Sequence, residues 1–356
     1  ADASLTIGTG HVMRCLTLAR ALRTEGATCR FITRALPGHL AAQIEAAGFG
    51  VTLLPAPTGP APDTPPAHAA WAGVDWATDA AETRVALGNR ADWLVIDHYA
   101  FDARWQRAVR PEGTKLMVID DLADRPHDCD LLLDQNLGHT ADDYDGLVPE
   151  HCICLTGPRY ALLRLEFAQE RASALAERVG RGLRHLLITM GGTDPLDATS
   201  QVLSAVHGAD LPEDLRITVV MGSRAPALDN VRALAGDMPR TTEVVVDITD
   251  MSVRMASADL AIGAAGSTTW ERCALGLPTI IVEIAANQAG IARALRDAGA
   301  ALDLGPLHAP KFAQNLQAAL AEAPSQLGVM TARAADICDG DGTARVVAAM
   351  QMKRLA

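Results

Sequence analysis

Two short stretches, far apart in the chain, share a pattern that suits anion chemistry. Gly8-Thr9-Gly10-His11-Val12-Met13-Arg14 stands near the start, and Gly263-Ala264-Ala265-Gly266-Ser267-Thr268-Thr269-Trp270-Glu271 stands far along. Each reads as a glycine-rich turn leading from a strand into a helix. Such a turn lets an anion approach the backbone and offers it N–H groups and the positive end of a helix dipole. The first turn adds an imidazole, His11. The second adds the hydroxyls of Ser267 and Thr268, then the carboxylate of Glu271 on the helix's first turns.

Each of these residues has two readings. His11, at a helix start where the dipole disfavours imidazolium, is either a neutral general base or a cap with no chemistry. Glu271 either accepts from both hydroxyls of a ribose or closes a capping box with Thr268, whose spacing fits. Asp97-His98-Tyr99 follows the apolar run Trp93-Leu94-Val95-Ile96, so these polar groups emerge at a strand end; Asp97 and Tyr99 either face a ligand or cap and pack. Asn287 and Gln288, after the strand that ends at Glu283, either hold sugar hydroxyls or cap a helix. Arg159 either meets a phosphate or is a solvated surface arginine. Asp120, Asp121 and Asp124 lack the spacing of a calcium loop and read as solvated caps with Arg125 as partner, so neither a metal nor a cofactor is expected.

Short apolar runs alternate with helical patterns almost throughout, which is the mark of a parallel α/β architecture. In the first half, strands are expected at 28–33, 51–54, 93–97, 115–120, 130–133 and 152–155, with an amphipathic helix over 12–23. In the second half they are expected at 183–189, 215–220, 243–246, 259–263, 279–283 and 301–304. Gly191-Gly192-Thr193-Asp194-Pro195 follows the first of these, with Pro195 placed to open a helix. Residues Ala1-Asp2-Ala3-Ser4 read as the end of a βα unit whose opening strand is missing, so the numbering is expected to begin inside the natural chain.

The expected architecture is two Rossmann-like domains of parallel sheet facing a cleft. Residues 1–157 form the first, 158–182 a linker helix and hinge, and 183–340 the second. A last helix over 341–356 is a candidate to cross back. In open α/β sheets ligands bind beyond the carboxyl ends of the strands, where all these glycine turns fall. Gly10, Gly191, Gly192 and Gly266 are therefore the candidate phosphate contacts. The Gly8-Thr9-Gly10 stretch lacks the third glycine of a dinucleotide fingerprint at Val12 or Met13, and the second strand ends in Thr33-Arg34 without an acidic residue, which argues against NAD.

Composition narrows the partners. At 356 residues two domains are the prior, and 49% hydrophobic with 21% charged residues is ordinary for a globular protein. A net charge of −12 argues against a nucleic-acid surface, although a small anion can still be held locally. No apolar run is long enough for a membrane span and no signal peptide is visible. The seven scattered cysteines read as reduced core residues, which places the chain in the cytoplasm. A monomer or weak homo-oligomer is expected.

Taken in order, Gly8–Arg14, Asp97-His98-Tyr99, Asp120-Asp121, Leu133-Asp134-Gln135-Asn136, Gly157–Leu163, Gly191–Pro195 and Gly266–Glu271 resemble a known family. It is the UDP-2,4-diacetamido-2,4,6-trideoxy-β-L-altropyranose hydrolase family of bacterial pseudaminic acid biosynthesis, similar in fold to the GT-B glycosyltransferases. The resemblance implies a UDP site in the C-terminal domain, a sugar pocket between domains, and metal-independent hydrolysis with inversion at the anomeric carbon. It further implies that His11 activates or positions water and that Tyr99 and Asn287 line the sugar pocket, with Asp97 and Gln288 beside them. Ser267, Thr268 and Glu271 then hold UDP. A GT-B glycosyltransferase using a UDP-amino-sugar and a non-catalytic nucleotide-sugar binder are the alternatives. Against the transferase, the apolar stretch Trp71–Trp76 is flanked by Asp75 and Asp79 and offers no basic face for a membrane-borne acceptor.

Overall fold

The computed structural model describes residues 1–63, 65–88 and 90–355, the side chains of 353–355 excepted. The chain divides into two compact units, residues 1–162 with 342–356, and residues 163–341.

The first unit opens with helix α1 (Gly10–Thr24), followed by β1 (Arg30–Arg34), α2 (Ala41–Ala46), β2 (Gly50–Leu54) and α3 (Trp76–Leu87). Then come β3 (Trp93–Asp97), α4 (Ala103–Val109), β4 (Lys115–Ile119), β5 (Leu131–Asp134) and β6 (Ile153–Thr156). Caps set several starts: the Asp75 carboxylate accepts from the N–H groups of Ala77 and Thr78, and that of Asp102 from Arg104. All strand pairs are parallel, but they form two sheets, β1-β2 and β3-β4-β5-β6. Strands β4 and β5 are apolar and buried along nearly their whole length, as a parallel sheet covered on both faces requires. A cavity of about 690 Å³ is lined by residues of both β1 and β3, together with Asp2, Cys15 and Met350.

The second unit contains α5 (Leu165–Arg178), β7 (His185–Thr189), α6 (Ala198–His207), β8 (Arg216–Met221), α7 (Leu228–Gly236), β9 (Thr242–Val246) and α8 (Met251–Ser257). It continues with β10 (Leu260–Ala264), α9 (Thr268–Ala274), β11 (Thr279–Glu283), α10 (Ala289–Asp297), β12 (Ala301–Pro306) and α11 (Phe312–Ile337). Its six strands are parallel in the order β12-β11-β10-β7-β8-β9. This is the doubly wound Rossmann order, and it reverses between β7 and β10, where Thr189 pairs with Gly263. Val202, Leu203 and Val206 are fully buried and dock α6 onto this sheet.

A last helix, α12 (Gly342–Leu355), belongs to the first unit, where Val346, Val347 and Met350 join the core that holds Val12, Leu16 and Ala19 of α1. Because α12 covers α1, that helix is buried on more than the single apolar stripe its sequence shows.

Strands fall where the apolar runs place them, with ends displaced by one or two residues. Two expectations fail. Pro195 does not open a helix: the Asp194 carboxylate accepts from the N–H groups of Ala198 and Thr199, both at 2.9 Å, and this cap moves the start of α6 to Ala198. Nor is the stretch after Tyr160 continuously helical, since Ala161, Leu162 and Leu163 are buried in non-helical backbone before α5 begins. Among the described residues no helix is long and apolar enough to cross a membrane.

Candidate functional site

In the first unit, polar side chains gather where α1 begins and where β3 and β4 end. The carboxylate of Asp97 is fully buried. His11 Nδ1 donates to its Oδ1 at 2.6 Å, Arg14 Nη2 to the same oxygen at 2.7 Å, and Arg14 Nε to Oδ2 at 2.6 Å. Burial pushes the Asp97 carboxyl up, but Arg14 and His11 outweigh it and hold the group well below the usual carboxylate range. An ionised carboxylate only accepts, so Nδ1 of His11 carries a proton, and in the neutral imidazole Nε2 is the acceptor. Arg14 continues to Asp121, with Nη2 at 2.7 Å from Oδ2, and Tyr99 donates its hydroxyl to that oxygen at 2.5 Å. Burial, then the charge of Asp121, push the Tyr99 phenol far above its ordinary value, so it stays a neutral donor.

An aromatic wall stands beside the imidazole. Tyr99 meets His11 edge-on at 4.7 Å between ring centroids, Trp71 stacks on Tyr99 at 5.4 Å, and His68 lies 4.7 Å from Trp71.

Several sequence readings change here. Asp97 is no ligand to a sugar: its oxygens are spent on His11 and Arg14, and it lies wholly beneath the surface. The capping alternative for His11 also falls, since its Nδ1 turns to Asp97. Tyr99 offers a ring, its hydroxyl being committed to Asp121. Asp120 pairs with Arg125 at 2.8 Å and accepts from the Ala123 N–H, whereas Asp121 joins the histidine network. Arg34, at the end of β1, is buried in a core ion pair with Asp79 and Glu82. From the sequence none of Arg14, Asp121 and Trp71 is assigned to this site: Asp121 reads there as a solvated cap and Trp71 as part of an apolar stretch. For Arg14 the signal was present: three residues after His11, it shares that helix face.

In the second unit, the Rossmann switch point carries two glycine turns side by side. After β7, Gly191 takes φ +105°, a conformation that favours glycine, and it is exposed together with Gly192. Gly192 accepts from the Gly222 N–H at 3.0 Å. After β10, nothing lies within 4 Å of where a side chain on Gly266 would begin, and Ser267 is exposed. The capping box is not formed, because α9 starts at Thr268 and has no side-chain cap at Ser267. Glu271 instead approaches Arg164 at 3.7 Å, and burial pushes its carboxyl up to about 7 despite the opposing charges of Arg164 and Arg272.

The remaining candidates are more scattered. Gly10 opens α1 in the first unit, one residue before His11. Asn287 is exposed, while Gln288 is half-buried and accepts from the Ile284 N–H at 3.0 Å, a bond back to the strand end and not a cap of α10. Arg159 is exposed and stacks over Tyr160, its guanidinium carbon 5.1 Å from the ring centroid.

Comparison with known proteins adds the following. Residues 185–335 match the Glycosyltransferase family 28 C-terminal domain. A stretch of 148 residues is 33% identical to the UDP-2,4-diacetamido-2,4,6-trideoxy-beta-L-altropyranose hydrolase of Campylobacter jejuni, covering 41% of this chain and 50% of that protein. Another match, 31% identical over 149 residues, is to the spore coat polysaccharide biosynthesis protein SpsG of Bacillus subtilis, covering 42% of this chain and 43% of that one. The chain thus spans about half the length of the curated relatives it matches. Among solved structures, MurG of Acinetobacter baumannii is similar with a TM-score of 0.68 at 17% identity, covering 96% of each chain. That likeness is one of fold: α/β with parallel sheets, as in glycosyltransferase structures.

Proposed function

We propose that this chain is an enzyme acting on a UDP-sugar, and that it hydrolyses UDP-2,4-diacetamido-2,4,6-trideoxy-β-L-altropyranose to UDP and the free sugar. The observation that carries the reading is the His11–Asp97 pair at 2.6 Å, which leaves Nε2 as a base beside an aromatic wall. The partial likeness to a hydrolase of that name supports the choice of substrate.

In this reading a water oxygen attacks the anomeric carbon, on the face opposite the leaving group, as the bond from that carbon to the UDP oxygen breaks. UDP departs with the bonding electron pair, and the water gives its proton to His11 Nε2. Asp97 stabilises the imidazolium that forms, as Arg14 stabilises Asp97. The second unit holds the nucleotide: the Gly191-Gly192 and Gly266–Thr268 turns take the diphosphate, whose developing charge meets preorganised donors there, and Glu271 takes the ribose. No covalent nucleophile is needed. Asn287 stays a candidate for the sugar because its side chain is exposed.

A second reading is favoured by the glycosyltransferase domain match and the MurG-like fold: the same groups would move the sugar to an acceptor hydroxyl. One experiment separates the two. Purified chain is given the nucleotide sugar in heavy-oxygen water without acceptor. The hydrolase reading expects UDP release, with label in the free sugar and none in UDP. No release until an acceptor is supplied would establish the transferase.

A further inference from the structure

The second unit buries a cation that makes no direct ion pair with an acid among the described residues, although the adjacent Glu271 lends it some through-space charge. Arg272 on α9 is 1% exposed, and its guanidinium lies under the turn that joins β10 to α9. Nη2 donates to the Ala264 carbonyl at 2.8 Å and to Thr269 Oγ1 at 3.1 Å, and Nη1 donates to Thr268 Oγ1 at 3.2 Å. Every one of these acceptors is neutral. Among the described residues Nε has no hydrogen-bond partner, and Arg272 forms no ion pair with an acid. The neighbouring Glu271 turns to Arg164. Burial lowers the Arg272 pKa to about 10, so the group is still charged at neutral pH.

The strand is adapted to hold this guanidinium. A Cβ at Gly263 would come within 2.6 Å of Nη1 and 3.1 Å of Cζ, so the glycine in an otherwise apolar central strand makes room for the arginine. A charge buried at this cost calls for a counter-charge. On the outer side of the turn, Gly266 has open space and Ser267 is exposed. Thr268 links the two sides: its oxygen accepts from Arg272, which leaves its own O–H to donate outward.

We propose that Arg272 is a positioning residue for the anionic diphosphate of the nucleotide, setting the field of the Ala264–Thr268 turn from beneath and orienting the Thr268 hydroxyl toward the anion. This rests on the nucleotide reading above. Arg272 itself stays buried; the ligand's charge completes an ion pair across one layer of backbone.

The test is calorimetric titration of the full chain with UDP and with uridine, which share the base and ribose but not the diphosphate. The wild type is expected to bind UDP far more tightly than uridine. Arg272→Gln should weaken UDP by about tenfold to a hundredfold, the loss of a charge-assisted interaction, and leave uridine unchanged. Equal losses for both ligands, or no loss for UDP, would overturn the proposal and leave Arg272 a brace for α9. Should Arg272→Gln fail to fold, Thr268→Val at the half-exposed end of the same relay decides: UDP should weaken several-fold and uridine should not, and an unchanged UDP affinity overturns the orienting role. Wild-type chain that binds UDP and uridine equally well overturns this inference alone. Chain that binds neither overturns the nucleotide reading, and this inference with it.

Discussion

Around Asp97 the donors of His11, Arg14 and Cys15 converge on one carboxylate, whereas around Arg272 every acceptor is a neutral oxygen. Both groups are buried. The first is an internally paired network: Arg14 pairs with Asp97 and Asp121, and Asp121 also takes the Tyr99 hydroxyl. The second is a half-balanced site, in which Arg272 is hydrogen-bonded only to neutral oxygens and the adjacent Glu271 acts on it only through space. In the proposed reading His11 is a base that must be aimed before substrate arrives, so its shell is built from the protein's own ions. If the turn above Arg272 binds the diphosphate, as proposed, it gains affinity from a charge that the ligand helps to neutralise.

The comparison is broken most directly at the base. His11→Ala is expected to lower UDP release by about 10²–10⁴-fold, the usual worth of a positioned base, while UDP affinity by calorimetry stays close to wild type. Retained turnover would remove His11 from the chemistry.

Next in size is Asp97→Asn. It leaves Arg14 without its main partner in a buried setting, so stability should fall by about 3–5 kcal/mol in urea unfolding. It also lets the amide donate to His11 Nδ1, which favours the wrong tautomer, so turnover should fall with it. Full stability together with full turnover would show that the network is ornamental to both.

Glu271→Ala should cost about 1–3 kcal/mol of UDP binding, the range for charge-assisted hydrogen bonds. An unchanged titration would take Glu271 off the ribose.

The smallest effect is one of pH. Burial raises the Glu271 carboxyl from its ordinary 4.5 to about 7. A group raised on folding contributes stability that is complete below its unfolded value and is lost as pH rises through the folded one. Wild type should therefore lose melting temperature between pH 4.5 and 7 relative to Glu271→Gln, in which that slope is absent. Since ribose hydroxyls donate best to the ionised form, UDP affinity should rise over the same interval. Parallel melting curves for the two proteins would show that the carboxyl is not strained by burial.

How much of this was legible in advance differs between the two regions. The second unit's turns could be read from composition, because such a turn is local: glycines, hydroxyls and a helix start are consecutive in the chain. The first unit's network could not be assembled that way. Asp97 is 86 positions from His11, and a strand-end carboxylate looks the same in sequence whether it meets a sugar or a histidine. Asp97 was accordingly assigned to ligand, and burial corrects it. Arg272 gave no signal at all, since an arginine on a short helix reads as solvated.

By itself the sequence determined the alternation of strand and helix, the parallel class of the sheets and the places where the glycine turns fall. Those features follow from periodicity and backbone freedom over a few neighbouring residues. Only the tertiary structure decided which charges are buried and what neutralises them. It set Asp97 between His11 and Arg14, returned α12 to the first unit, and placed the Arg272 guanidinium in the space that Gly263 vacates. Electrostatic partnership depends on distances of a few ångströms between residues far apart in the chain, and a linear pattern carries no such distances.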